Sequence, residues 1–225
     1  MNIKIAIDGP SGSGKSTLAK NIAKTLGLVY VDTGALYRTV GLFAKRSGIP
    51  VDEASRVSRL LGEVEIALRY TEEGQRVILN GEDVSQLIRT PEMSMYASAV
   101  SAVPMVRAFL LEIQKKMAAD GNVVMDGRDI GTVIMPDADV KLYVEASAKA
   151  RARRRHEELM EKGDTSTESE VLADIIKRDN NDKNRSIAPA IPADDAIFID
   201  NSDYTPEETL KAALRIIKDK LHRTL

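Results

Sequence analysis

The sequence predicts an α/β fold: a five-stranded parallel sheet with helices on both faces, a small antiparallel insert and a mobile lid. Three observations carry that expectation. Short apolar, β-rich runs recur along the 225 residues, each followed by a helical pattern. Continuous apolar runs suit parallel strands buried on both faces, and their alternation with helices implies right-handed crossovers in a doubly wound sheet. One early segment breaks the rhythm with strand-like runs around tight turns, and a later one is almost bare of apolar side chains.

The first strand is expected at Ile3–Ile7, and the helical pattern Ser16–Leu26 follows it across a glycine-rich loop. Val29–Val31 is the second strand, followed by a helix over Ala35–Arg46. Val64–Tyr70 and Arg76–Leu79 then read as strands around a Glu-Glu-Gly turn, with a further turn at Asn80-Gly81. Asn-Gly between strand-like runs is a strong hairpin signal, which places a small antiparallel insert between the second and third parallel strands. A helix opens at Pro104 and runs to Ala119, and Val123–Met125 and Val140–Val144 are the next two strands. Helical patterns over Ala148–Lys162 and Glu168–Asn181 precede the last strand, Ile197–Ile199, and the last helix, Pro206–Leu221. Arg151–Glu168 has almost no apolar residues besides Leu159 and Met160, so an exposed, mobile stretch is expected there.

Composition narrows the chemistry. Apolar residues make up 43%, enough for a core, and 32 Lys and Arg against 34 Asp and Glu leave a formal charge of −2. Binding nucleic acid through bulk charge is disfavoured by that balance, so a polyanionic ligand must be small and met by a local cluster of cations. There is no cysteine, which removes disulfides, thiol nucleophiles and Cys-ligated metals, and only His156 and His222 remain as histidines. The N-terminal apolar stretch is too short for a secretory signal, and no run reaches the ~20 apolar residues of a membrane span. The expectation is a cytoplasmic protein without a membrane or nucleic-acid partner.

The strongest local signal is Gly9-Pro10-Ser11-Gly12-Ser13-Gly14-Lys15-Ser16, followed by Thr17, which leaves a strand and opens a helix. This is the phosphate loop of a P-loop NTPase-type sheet. The glycines let successive N–H groups turn inward around a polyphosphate, and the helix N-terminus adds positive potential. Lys15 reaches the β- and γ-phosphates, and the Ser16 hydroxyl offers a magnesium ligand.

No N-K-x-D guanine motif accompanies the loop; Asn181-Asp182-Lys183-Asn184 is not one. Well-placed arginines do. Asp32 to Arg38 follows the second strand, with Thr33 expected to cap the next helix and Arg38 one turn in, an arrangement suited to a monophosphate. Asp126-Gly127-Arg128-Asp129 ends the third apolar strand, at the sheet edge where open α/β folds bind ligands. Arg107 is the only charged residue from Met95 to Leu111, and Asp129 is its expected partner. Arg178, Asp182 and Arg185 share one helical face by their spacing. Each group alone also fits an ordinary capped helix, turn, snorkelling side chain or surface pair. The run Arg151, Arg153, Arg154 and Arg155 lacks interleaved aromatics, and a lid that closes over triphosphate suits it better than RNA binding. A phosphate acceptor with its second pKa near 6 needs no general base, so positioning and cations suffice for transfer. On these grounds the chain is expected to be a phosphate-transferring enzyme with a second anion site, its acceptor unnamed.

Those residues resemble the bacterial cytidylate kinases, of the nucleoside monophosphate kinase family. The resemblance rests on IDGPSGSGKST at 7–17, DTGALYR at 32–38, LNGEDVSQLIRTPE at 79–92, ASAVSAVPMVR at 97–107, DGRDIGTVIMPDA at 126–138 and KRDNNDKNRSIAP at 177–189. It implies one domain over 1–225, with a monophosphate-binding subdomain at 36–103 holding the β insert at about 63–82, a lid at 149–167 and a core in the remainder. It also implies transfer from ATP, with Mg2+, to CMP or dCMP, by a monomer. Carried over by position, Thr33, Tyr37, Arg38 and Arg128 would surround the acceptor phosphate, and Ser98, Arg107 and Asp129 would read cytosine. Arg178, Asp182 and Arg185 would hold the ribose and line the transfer site. Lys15, Arg128, Arg178, Arg185 and Arg155 of the lid would be catalytic. Some members of that family carry Ser where Thr33 stands and Gly in place of Ser16.

Overall fold

A computed structural model describes residues 2–71, 74–119, 121–161 and 163–222. The chain divides into two compact units: Met1–Tyr30 with Asp120–Leu225, and Val31–Ala119.

The first unit carries four strands of a five-stranded sheet and the first half of the fifth. The sheet's strands are β1 (Lys4–Asp8), β2 (Val29–Asp32, the one whose first half lies in this unit), β6 (Val123–Gly127), β7 (Val140–Glu145) and β8 (Ile197–Asp200), in the order β2-β6-β1-β7-β8. The ladders of β1 with β6, β1 with β7, and β7 with β8 are parallel. Every residue of β6 and all but the first of β1 are buried, so both faces of the central strands are covered, which is why their sequences read as unbroken apolar runs. Helices α1 (Lys15–Leu26) and α7 (Pro206–His222) pack on the sheet through Leu18, Ile22, Ala213 and Ile217 against Ile5, Ile7, Val124, Leu142 and Val144. Among the described residues no single helix is long and apolar enough to cross a membrane.

Helix α5 (Ala148–Glu161) covers most of the stretch Arg151–Glu168 expected to be exposed and mobile, and α6 (Glu168–Lys183) begins at its last residue. That expectation fails at its start: Arg151 and Ala152 are buried, and Ala152 packs with Val171 and Ile175 to make a small core between the two helices. Ala148 and Leu159 of α5 and Leu172 of α6 pack against it, partly buried. Thr167 and Glu170 close a reciprocal capping box at the start of α6, satisfying two N–H groups that the helix cannot. The expected helix end at Lys162 lies outside the described residues.

The second unit contains α2 (Thr33–Arg46), 3₁₀ turns over Val51–Glu63, the hairpin β3 (Ile66–Thr71) with β4 (Gly74–Leu79), the short β5 (Glu82–Asp83), α3 (Pro91–Ser101) and α4 (Pro104–Ala119). The insert is antiparallel in the order β3-β4-β5, and Leu79 pairs with Glu82 across Asn80-Gly81, both with positive φ, as the Asn-Gly signal implies. Residues Glu72 and Glu73 of the other turn lie outside the described residues. Asn80 also accepts from the Glu65 N–H at 2.8 Å, tying the turn to the start of β3. The core of this unit joins Leu36 and Val40 of α2 to Val57, Val77, Leu79, Ile88, Met93 and Leu110.

Three elements were not legible from periodicity. The 3₁₀ turns and α3 carry mixed Ser, Ala and charged residues, although Thr90 caps α3 and Pro91 opens it. The third is a π-turn over Ile130–Ile134, whose apolar run resembles a strand.

Candidate active site

The phosphate loop lies between the end of β1 and the start of α1. Gly9 is required at its entry: its φ is 152°, and a Cβ there would stand 2.0 Å from the Val144 carbonyl oxygen. Gly14, in the left-handed region, passes the chain into α1 without a side-chain cap, so the first N–H groups of the helix stay directed at the loop. The Lys15 ammonium donates to the Pro10 carbonyl at 3.0 Å, folded back across the loop. Two further donors hold the outer carbonyls. Arg151 Nη1 donates to Ser11 O at 2.8 Å, and the buried Asn201 donates through Nδ2 to Ser13 O at 2.9 Å. Gly12 and Thr17 are exposed, and Ser13 is buried.

Ser16 Oγ donates to Asp126 Oδ2 at 2.6 Å, and Tyr30 OH donates to Asp126 Oδ1 at 2.7 Å. A hydroxyl and a carboxylate side by side beside a phosphate loop are hard oxygen donors of the kind a magnesium ion takes. Beyond Asp126, Arg128 donates through Nε to Asp182 Oδ2 at 2.9 Å, while Arg185 Nη1 lies 3.8 Å from Asp182 Oδ1. One carboxylate thus gathers two guanidiniums beside a cleft lined by Gly9, Pro10, Arg128, Tyr143, Asp179 and Asp182. Helix α6 ends at Lys183, so Arg185 reaches Asp182 from beyond the helix rather than along its face. Arg178 is half-buried on α6. Arg155 pairs with Glu158 on its own helix at 2.8 Å. Asp129 is buried at the start of the π-turn.

Asp8 is a buried carboxylate that the sequence pattern did not single out. It accepts from Ile130 N and Gly131 N at 2.8 Å each. Burial pushes its pKa up to about 6, against the pull of those two N–H groups.

The second unit holds the other predicted residues. Thr33 was expected to cap α2, but the cap is Asp32, whose Oδ1 accepts from Ala35 N at 2.9 Å; Thr33 is already inside the helix and buried. The carboxylate reaches the free N–H because Asp32 still has extended backbone. Arg89 Nη1 donates to Asp32 Oδ2 at 2.7 Å, and Arg38 Nη1 lies 3.9 Å from the same oxygen. Burial would raise the Asp32 pKa, but Arg38, Arg89 and the Ala35 N–H outweigh it and hold the carboxyl below its usual range. Arg107 is buried, donates to Ser101 O at 3.4 Å and stacks its guanidinium 5.6 Å from the Tyr37 ring centre. Ser98 is half-buried on α3.

The sheet, the phosphate loop at the end of its first strand and the arginine pair beside it define a P-loop kinase. The family model described as cytidylate kinase matches residues 5–219. The cytidylate kinase of Carboxydothermus hydrogenoformans is 46% identical over 97% of this chain and 98% of its own. That of Fervidobacterium nodosum is 48% identical over 98% of each chain. The chain therefore belongs to the cytidylate kinase family and is a nucleoside monophosphate kinase that uses a nucleotide phosphoryl donor. A solved structure of an uncharacterised protein from Eubacterium ventriosum shares the fold, with a TM-score of 0.52 at 14% identity over 97% of this chain and 99% of that one.

Proposed function

We propose that this enzyme transfers the γ-phosphoryl of ATP, with magnesium, to CMP and dCMP, as a cytoplasmic monomer without a nucleic-acid or membrane partner. The observation that carries the transfer is the phosphate loop beside Arg128 and Arg185 on Asp182 within one unit. Gly9 to Thr17 wrap the donor phosphates, and Lys15 leaves Pro10 O to meet them. Ser16 and Asp126 would hold magnesium, which supplies charge neutralisation between the donor phosphates. The acceptor phosphate already carries the attacking oxygen in ionised form near neutral pH, so no base is required.

Arg128, Arg178, Arg185 and Arg155 counter the charge of the transferring group, and Asp182 fixes the first and third of these. Thr33, Tyr37 and Arg38 take the acceptor phosphate, the last two within a subdomain of 36–103 that includes the insert. Ser98, Arg107 and Asp129 read the base: cytosine presents a donor at N4 beside the acceptor N3, which a carboxylate and a guanidinium complement. Uracil places an oxygen where the amino group would be, and a site built to accept from that group disfavours it. The lid, 149–167, closes over the donor and excludes water.

A coupled assay of ADP release from magnesium ATP against CMP, dCMP, UMP, AMP and GMP tests this reading. Release driven by CMP and dCMP is expected; a preference for a purine monophosphate would overturn the assignment of the base site.

A further inference from the structure

The ladder between β1 and β6 ends at the pair Asp8 and Gly127. Past that point the strands part, β1 into the phosphate loop and β6 into the Arg128-Asp129 turn. The sheet's own hydrogen bonds cannot set the distance between those two loops. The Asp8 side chain does so, across 122 residues, by accepting at 2.8 Å from both Ile130 N and Gly131 N. These are the N–H groups immediately after Arg128-Asp129, at the opening of the π-turn, where no intrahelical partner exists for them. π-turns are frequent at functional sites and need such outside support.

We propose that Asp8 is a positioning residue for phosphoryl transfer, holding the turn that carries Arg128 in register with the phosphate loop that carries Lys15. It rests on the transfer reaction proposed above. Three features fit the role. Two N–H donors need two acceptor oxygens, which a carboxylate supplies; an amide would set its NH2 against one of them. The position opposite is Gly131, whose missing side chain leaves room beside the bond: a Cβ there would already touch Asp8 Oδ2 at 3.4 Å and press on Lys141 Cδ at 3.2 Å. The carboxylate is 4% exposed and its charge is disfavoured by burial and by Asp129, with Lys15 the cation that relieves it, so the cation of the donor site and the carboxylate of the acceptor turn both act on this group.

The test is Asp8→Asn in the full-length protein, assayed with whichever acceptor the wild type phosphorylates. The expected result is a kcat at least tenfold lower, a donor KM within about threefold of wild type and unchanged binding of a fluorescent ATP analogue. Should that variant fail to fold, Asp8→Ser, smaller and with one acceptor, is judged by the same criteria. A kcat within twofold of wild type per folded molecule, with the effect confined to melting temperature, would overturn the positioning role. A wild type that transfers to no acceptor would defeat the reading of the reaction instead; a competent wild type with an unimpaired variant defeats only the role of Asp8.

Discussion

Replacing Arg151 with Met is the sharpest perturbation of the joint between α5, α6 and the phosphate loop. The Arg151 side chain is 6% exposed and its partner Asp179 is 16% exposed, at 2.6 Å. The same guanidinium donates to Ala146 O at 2.9 Å and Ser11 O at 2.8 Å. Met keeps the apolar stem and removes all three donations. It leaves the Asp179 charge in place, and Oδ1 of that carboxylate already has no hydrogen-bond partner among the described residues. Breaking a buried pair from one side costs about 3–5 kcal/mol, and the residual access of Asp179 to water favours the lower end, about 3 kcal/mol. For a chain of this size each kcal/mol moves the melting temperature by about 2–4 °C, so a fall of about 6–12 °C is expected. Circular dichroism melting curves measure it. Adding Asp179→Leu should recover most of the loss, since an apolar pair of similar volume removes the stranded charge. A fall below about 2 °C, or a double variant less stable than Arg151→Met alone, would refute the argument that this pair is buried and coupled.

Three further outcomes follow from the site. Arg128→Ala and Arg185→Ala should each lower turnover by about 10³-fold or more per folded molecule, the scale of an arginine serving a phosphoryl-transfer transition state, with the fold retained at a lower melting temperature; near-normal steady-state turnover in both removes their roles. Asp129→Ala should raise the KM for CMP while leaving ATP binding intact, measured by initial rates and by titration with a fluorescent donor analogue. The pH dependence of stability should separate wild type from Asp8→Asn. The folded pKa of Asp8, about 6, lies above its ordinary 3.8, so its contribution is fully present below 3.8 and is lost as pH rises through 6. Denaturant unfolding should therefore show wild type losing stability relative to the variant between pH 4 and pH 7, by on the order of 3 kcal/mol at most.

Most of the fold was legible because the central strands are buried on both faces, which leaves unbroken apolar runs such as Ile5 to Ile7 and Val123 to Met125. The insert was legible for a different reason: Asn80-Gly81 supplies two positive φ angles that few other residue pairs tolerate. The phosphate loop was visible because its backbone geometry demands glycine at fixed positions. Less visible were the residues that hold the functional ones in place. Asp8 closes an apolar strand and shows no spacing to its partners at Ile130 and Gly131. Arg89 meets Asp32 only because the insert folds back across 57 residues. Arg151 stood within a basic run in which Arg153 and Arg155 pair along their own helix and Arg154 donates to the Asn201 and Ser202 carbonyls, and nothing in the sequence shows that Arg151 alone turns to Ser11 and Asp179. Asp32 took the capping role expected of Thr33, a shift of one position that rules for cap residues do not resolve between two good cappers.

The central claim is that the donor loop and the arginine-lined acceptor site belong to one reaction. Following labelled γ-phosphoryl from magnesium ATP in the presence of CMP tests it most directly. The account predicts that the label appears in CDP, in proportion to ADP formed and with little inorganic phosphate. Label released as inorganic phosphate regardless of CMP would contradict it.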